Sequence, residues 1–155
     1  FKDATLGGQF LGQPGPNGAK LRGIDLAHAN MSGANLINTK MPESILTNAN
    51  FRKANLGAAD LSWVRAEGAD FSKAILSWTV GYGGNWSHAK FLKANITLAQ
   101  FTGASFKNAD FSKAILQHVN LSQTSLSGAL FVKTRIDSVN TDNAIDTPTT
   151  LMGRN

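Results

Sequence analysis

The feature that most constrains this chain is a five-residue period, which keeps one phase from about residue 19 to residue 140. Positions whose numbers leave remainder 1 on division by five are large and apolar, as at Phe51 and Leu56. Two places earlier stands a small residue, usually alanine, and Asn or Asp often separates the two, as in Ala54-Asn55-Leu56. This period matches neither an α-helix nor a flat strand. A unit so short cannot bury its own apolar residue, so the pattern predicts a solenoid in which stacked units share one interior column.

The A-[DN]-[LF]-x-x signature resembles that of the pentapeptide-repeat family, and the resemblance covers residues 19–140. It implies an all-β fold, the right-handed quadrilateral β-helix, with four repeats in each coil and about six to seven coils. The large residue then fills the lumen and the small one fits at the corner. The intervening Asn or Asp can hydrogen bond to the backbone of the turn.

If coils stack, residues twenty positions apart should share one column of the interior. The predicted lumen contains an aromatic column and a neighbouring aliphatic column. These are Phe51, Phe71, Phe91, Phe111 and Phe131, followed by Leu36, Leu56, Leu76, Ile96 and Leu116. Like rings are expected to stack between adjacent coils at roughly 4.8 Å.

Residues 79–88 resemble an insertion, but their length equals two repeats. A looped-out segment would rotate Phe91 away from the other phenylalanines, so we interpret the segment as two degenerate repeats in place. Gly81 and Trp86 then take lumen positions. Because Gly81 has no side chain, we expect a dent or an outward bulge in the wall there.

The two ends depart from the pattern. Residues 1–18 include a Gly- and Pro-rich stretch and are predicted to form a strand and loop that cap the first coil. Residues 141–155 contain Pro148 and are predicted to be either a cap or a tail. Since the chain begins with Phe1, we expect a domain cut from a longer protein.

Composition and spacing argue against several functions. Cysteine is absent, which excludes thiolate chemistry and disulfides. His28, His88 and His118 fall too far apart for a shared site, and no catalytic set or phosphate loop accompanies them. We therefore predict a protein that is not an enzyme and that has no cofactor and no metal.

A column of five lysines falls two residues after the aromatic column: Lys53, Lys73, Lys93, Lys113 and Lys133. One interpretation is a solvated corner partly balanced by Asp70 and Asp110. The other is an edge that binds an acidic protein groove or an anionic membrane surface. The sequence argues against nucleic acid, because no base-reading motif or stacking platform lies beside the lysines.

The aromatic residues other than phenylalanine cluster at Trp63, Trp78, Tyr82 and Trp86. One interpretation is local repair, in which the rings cover the dent at Gly81. The other is a protein-binding hot spot, in which exposed Trp and Tyr are favoured.

Two stretches, 21–28 and 147–151, are similar to the corresponding parts of PipB-like type III secreted effectors. That resemblance implies the repeat domain of a bacterial effector that is secreted into a host cell and associates with host membranes. The implied partner is a host motor such as kinesin, or a trafficking protein. If the resemblance fails, the expected location is the bacterial cytoplasm.

The leading hypothesis is thus a protein-interaction scaffold. One alternative is a DNA mimic that modulates or protects DNA gyrase, as some pentapeptide-repeat proteins do. That role needs an acidic surface, whereas this chain has a formal net charge of +5. The other alternative is a structural spacer or dimerisation module.

Overall fold

The computed structural model describes residues 19–151. Within this range, every fifth residue forms a parallel bridge with the residue twenty positions later, from Lys20 with Lys40 to Ser125 with Ile145. At one level the bridges extend into two short strands, β1 (Ile115–Gln117) and β2 (Arg135–Asp137), which pair in parallel. Residues 19–151 contain no helix. The twenty-residue bridge spacing and five-residue turn spacing define a four-sided coil, as the family resemblance implies.

We count each repeat from its large apolar residue, such as Phe51. Each corner is then a tight turn over the second and third residues of a repeat. The fourth residue often donates its N–H to the carbonyl of the first, as Ala54 does to Phe51 at 3.0 Å. The third residue has a positive φ in nearly every repeat, as at Gly33 and Lys53. Asn or Asp before the turn accepts the N–H two residues later, as Asn55 does from Gly57 at 3.1 Å. The predicted hydrogen-bonding role of these polar residues is therefore observed.

The lumen holds the first and fourth residues of each repeat. All ten predicted lumen residues are buried, from complete burial at Phe51 to 7% exposure at Phe131. The five phenylalanines form one continuous stack, with adjacent centroids 4.8–5.4 Å apart and ring planes within 8° of parallel. A straight stack of this kind requires each coil to lie in register over the one before it.

The structure corrects the dent expected at Gly81. The bridges of Val80 continue unbroken on both sides, and the Gly81 N–H donates to Gln100 at 2.8 Å. A Cβ built on Gly81 would lie 2.6 Å from the Phe101 ring and 3.0 Å from the Trp86 indole. The space at Gly81 is thus filled from inside the lumen, by the Phe101 ring one coil later in the same column and by the Trp86 indole.

The repeats continue for one unit beyond the predicted boundary at residue 140. Ala144 donates its N–H to Thr141, Asn143 has the positive φ of a corner, and Ile145 bridges to Ser125. Beyond this unit, Leu151 packs into the hydrophobic core with 3% exposure. The N-terminal cap predicted for residues 1–18 lies outside the described residues.

Candidate protein-binding surface

Two indoles and one phenol stand out on the exterior. Trp63 and Trp78 are each 63% exposed, and Tyr82 is 43% exposed. Trp78 occupies the corner before residues 79–81, and Tyr82 occupies the corner after them. Trp63 occupies that second corner one coil earlier. We call these three residues the aromatic patch; they border one wall of the solenoid.

Trp86 does not belong to this surface, which corrects its assignment as a partner contact. Its side chain is fully buried. The indole contacts Phe71, Phe91, Phe101 and Phe106, with ring centroids 5.5–6.1 Å apart. Trp86 therefore acts in the lumen, the position that the repeat phase gives it.

Trp63 packs over the backbone of the next coil. The nearest atoms to a Cβ built on Gly83 all belong to the Trp63 ring, so a side chain at that position would displace the indole. A shallow groove continues from the indole along the corner. It is lined by Trp63, Tyr82, Gly83, Thr102, Gly103 and Gln123. The six-membered ring of the indole thus contacts Gly83, while Trp63 as a whole remains 63% exposed.

The second edge of the same wall is also apolar. Trp78 and Leu98 occupy the same corner in successive coils, and Leu98 is half-buried. Val80, half-buried on the wall, lies between the two edges. Val80 and Leu98 extend the apolar surface beyond the residues that aromatic composition alone identified.

Local repair does not account for the exposed rings. The atoms nearest to Gly81 come from Phe101 and Trp86, both in the lumen, and the Trp63 indole lies on Gly83 instead. A ring recruited to cover a gap would also be largely buried, whereas both indoles remain 63% exposed. Covering a dent at Gly81 therefore does not explain the aromatic patch, although Trp63 packs on Gly83.

The lysine column occupies a different corner. All five side chains are exposed, and all five residues have φ between 56° and 61°. Among residues 19–151, none of the five forms an ion pair or a hydrogen bond through its ammonium group. The structure thus places the five cations on one edge, as the repeat phase predicts.

Asp70, one of the two carboxylates expected to balance the lysines, is committed elsewhere. It accepts hydrogen bonds from the Ser72 N–H at 2.8 Å and from the Arg52 guanidinium at 3.0 Å. Partial burial raises the pKa of Asp70, but the hydrogen bonds from Ser72 and Arg52 outweigh it and hold that pKa below its ordinary value. The Asp70 charge is therefore shared with Arg52 and the corner turn.

Sequence reasoning missed the left-handed backbone at the third position of the repeats. The signal was present, since Gly and Asn, which tolerate this conformation, recur there in other corners, as at Gly68, Asn48 and Asn108. His28, His88 and His118 also take this position and are exposed. In the described part of the chain, no group of three His, Asp or Glu residues could hold a metal ion. No helix long and apolar enough to cross a bilayer occurs there either.

Comparison with known proteins defines the class. A family model described as pentapeptide repeats matches residues 17–48, 44–80, 94–132 and 104–140. These matches cover well over half of the sequence, so the chain belongs to the pentapeptide-repeat family. The matches omit residues 81–93, the part that contains both Gly81 and Trp86.

Solved structures with the same fold include QnrB1, described as a plasmid-mediated fluoroquinolone resistance protein. Two trypsin-treated variants align with TM-scores of 0.77 and 0.78 at 19% and 20% identity. These alignments cover 92% of this chain and 73% and 72% of theirs. Full-length QnrB1 aligns with a TM-score of 0.54 at 18% identity, over 93% of this chain and 75% of QnrB1. At this identity the likeness shows the fold alone, the right-handed quadrilateral β-helix.

No curated protein matches this sequence. The similarity of residues 21–28 and 147–151 to PipB-like effectors therefore gains no support from these comparisons. What the comparisons establish is the family and its fold.

Proposed function

We propose that this chain is a non-enzymatic scaffold that binds a protein partner through the aromatic patch. The observation that supports the proposal is the 63% exposure of both indoles on one wall of a rigid solenoid. Trp and Tyr are enriched among residues that dominate binding energy, since each offers a large contact area for the loss of few rotatable bonds.

The packing beneath the patch favours binding. Trp63 packs against Gly83, so part of its indole already contacts the fold before a partner arrives. Tyr82 follows Gly81, whose N–H donates to the Gln100 carbonyl of the next coil at 2.8 Å. The Trp63 N–H donates to the Tyr82 carbonyl at 2.7 Å, so the backbone beneath the patch is held by hydrogen bonds between coils. A contact surface that is ordered in advance loses less conformational entropy on association.

The patch can be removed with substitutions that the fold already uses. We expect Trp63→Asn and Trp78→Asn to be tolerated, because Asn adopts the same positive φ at Asn48 and Asn108. Tyr82→Ser copies Ser62 and Ser122, its counterparts in other coils. The triple variant should bind the partner at least about thirtyfold more weakly, since a hot-spot residue contributes about 2 kcal/mol or more.

The measurement is affinity capture from bacterial lysate with quantitative mass spectrometry, followed by titration of the purified partner. The matched control is Leu130→Asn with Val132→Ser, which removes two apolar side chains of 52% and 56% exposure, one from a wall and one from the corner that follows it. Selective loss in the triple variant would support the proposal. Retained binding, or equal loss in the control, would contradict it.

A second candidate is modulation of DNA gyrase, which the shared fold with a fluoroquinolone resistance protein favours. The surface charge opposes it as DNA mimicry, because the net charge is +5 and the lysine column forms no ion pair with any residue from 19 to 151. The test is gyrase supercoiling with a fluoroquinolone present and the purified chain titrated in. Restored supercoiling would favour this candidate, and unchanged inhibition would remove it.

The effector role and the host motor partner are not carried into this proposal, since they depend on two short stretches of sequence alone. Of the two expected locations we favour the bacterial cytoplasm, which is compatible with QnrB1-like neighbours. A spacer or dimerisation role would predict self-association without a partner, which light scattering measures directly.

A further inference from the structure

The lysine column is a linear array of charge with a fixed repeat. In the neighbouring phenylalanine stack, the ring centroids of adjacent coils lie 4.8–5.4 Å apart. Backbone hydrogen bonds hold the column in the same register, as from the Lys53 N–H to Ser72 at 3.0 Å and from Lys93 to Ser112 at 3.1 Å. One ammonium-bearing side chain therefore leaves the corner at intervals of about 5 Å.

Neither packing nor ion pairing explains why this column is lysine. The side chains are exposed and, among residues 19–151, unpaired, so they repel one another across adjacent coils. Their positive φ also suits Gly or Asn better than Lys, and the first coil does have Gly33 at this position. The column thus lowers stability in the free protein, which favours a role in binding an anion.

We propose that the lysine column binds the acidic face of an α-helix from a partner protein. An α-helix has a pitch of about 5.4 Å, so carboxylates placed one per turn repeat at nearly the interval of the coils. The mismatch is a few tenths of an ångström per turn, which flexible lysine side chains can absorb over five coils. Each turn of the helix can then place one carboxylate against one ammonium group.

Other anions fit the interval less well. Side chains on one face of a β-strand repeat at about 6.6 Å, so an acidic strand would drift out of register within a few coils. Duplex DNA places the phosphates of each strand at intervals of about 3.4 Å along the helix axis. They also wind around the axis, so a straight row of lysines meets few of them. A membrane would contact the column as a polybasic edge without regard to its spacing.

The probe is a pair of synthetic helical peptides with equal composition and equal helicity by circular dichroism. One has glutamates at i, i+4, i+7, i+11 and i+14, which form a single face. The other has the same glutamates distributed around the helix. Fluorescence anisotropy should give a Kd at least about tenfold lower for the single-face peptide, because only that peptide can align its charges with the column.

The variant that tests the protein side is Lys73→Asn with Lys93→Asn and Lys113→Asn. Asn suits the positive φ of 59–61° at these positions, so the fold should be kept, and thermal unfolding checks it. The matched control is Lys20→Asn with Lys40→Asn and Lys107→Asn, which removes the same charge elsewhere. We expect the first variant to lose about tenfold or more in affinity and the control to change less than about threefold.

Three results would overturn the proposal. Equal binding of the two peptides would show attraction by net charge alone. Equal loss of peptide affinity in the two variants would show that the lysine column contributes no more to binding than other surface lysines. Binding to anionic vesicles or duplex DNA that depends on the column, with neither peptide bound, would assign the column to another class of partner.

Discussion

Replacing Phe91 by alanine should lower the free energy of unfolding by about 3–5 kcal/mol, the cost of removing a large aromatic side chain from a close-packed core. Phe91 lies in the middle of the phenylalanine stack, 5.4 Å from Phe71 and 4.8 Å from Phe111. It also contacts Phe106 edge to face at 5.9 Å. The substitution would therefore break the stack and leave a cavity between coils that backbone hydrogen bonds prevent from collapsing.

The measurement is chemical denaturation followed by both circular dichroism and tryptophan fluorescence. The control is Phe131→Ala, at the end of the stack, where one ring neighbour at 5.0 Å remains and 7% of the residue is exposed. We expect a clearly smaller loss of unfolding free energy there, since Phe131 packs against another phenylalanine of the stack on one side only. An equal or larger cost at Phe131 would mean that the stack does not stabilise the solenoid as a continuous unit.

The fold was predictable because the period and phase of the repeat are independent of any single residue. The rule that residues twenty positions apart share one column placed Phe71 and Phe91 in one stack. The phase of the repeat also placed Trp86 in the lumen, although tryptophan is unusually large for that position. The dent predicted at Gly81 was wrong, because the volume at one lumen position depends on the side chains above and beside it. A repeat pattern specifies which residues point inward, but not how unequal side chains share the interior.

The candidate surface was only partly predictable, for a related reason. The phase of the repeat identified which residues face outward. It therefore predicted the lysine column and the exposed positions of Trp63 and Trp78. It could not show that Trp63 rests on Gly83, because that contact depends on a rotamer. It also could not show that Arg52 pairs with Asp70, since a corner side chain and a wall side chain of the next coil can pair or point apart.

The contact between the site of Gly81 and the Trp86 indole predicts coupling between two substitutions. Gly81→Leu alone should destabilise the protein by about 3 kcal/mol, because its Cβ would lie 2.6 Å from the Phe101 ring and 3.0 Å from the Trp86 indole inside a packed lumen. Trp86→Leu alone should cost about 2–4 kcal/mol through the cavity it leaves. The double variant restores the leucines that other coils have at these positions, Leu61 and Leu126.

We therefore expect the double variant to be more stable than the sum of the single changes predicts, by about 1 kcal/mol, because Trp86→Leu removes the indole contact and leaves the Phe101 contact in place. The measurement is a double-mutant cycle from denaturation curves. The control cycle pairs Gly81→Leu with Leu36→Ala, more than one coil away in another column, and should be additive within about 0.5 kcal/mol. Additivity in both cycles would mean that the missing side chain at position 81 and the large one at position 86 do not share the same space, and that the wall tolerates Gly81 for some other reason. Coupling confined to the first cycle would instead show that a solenoid can accept a tryptophan in its lumen when a neighbouring position gives up its side chain.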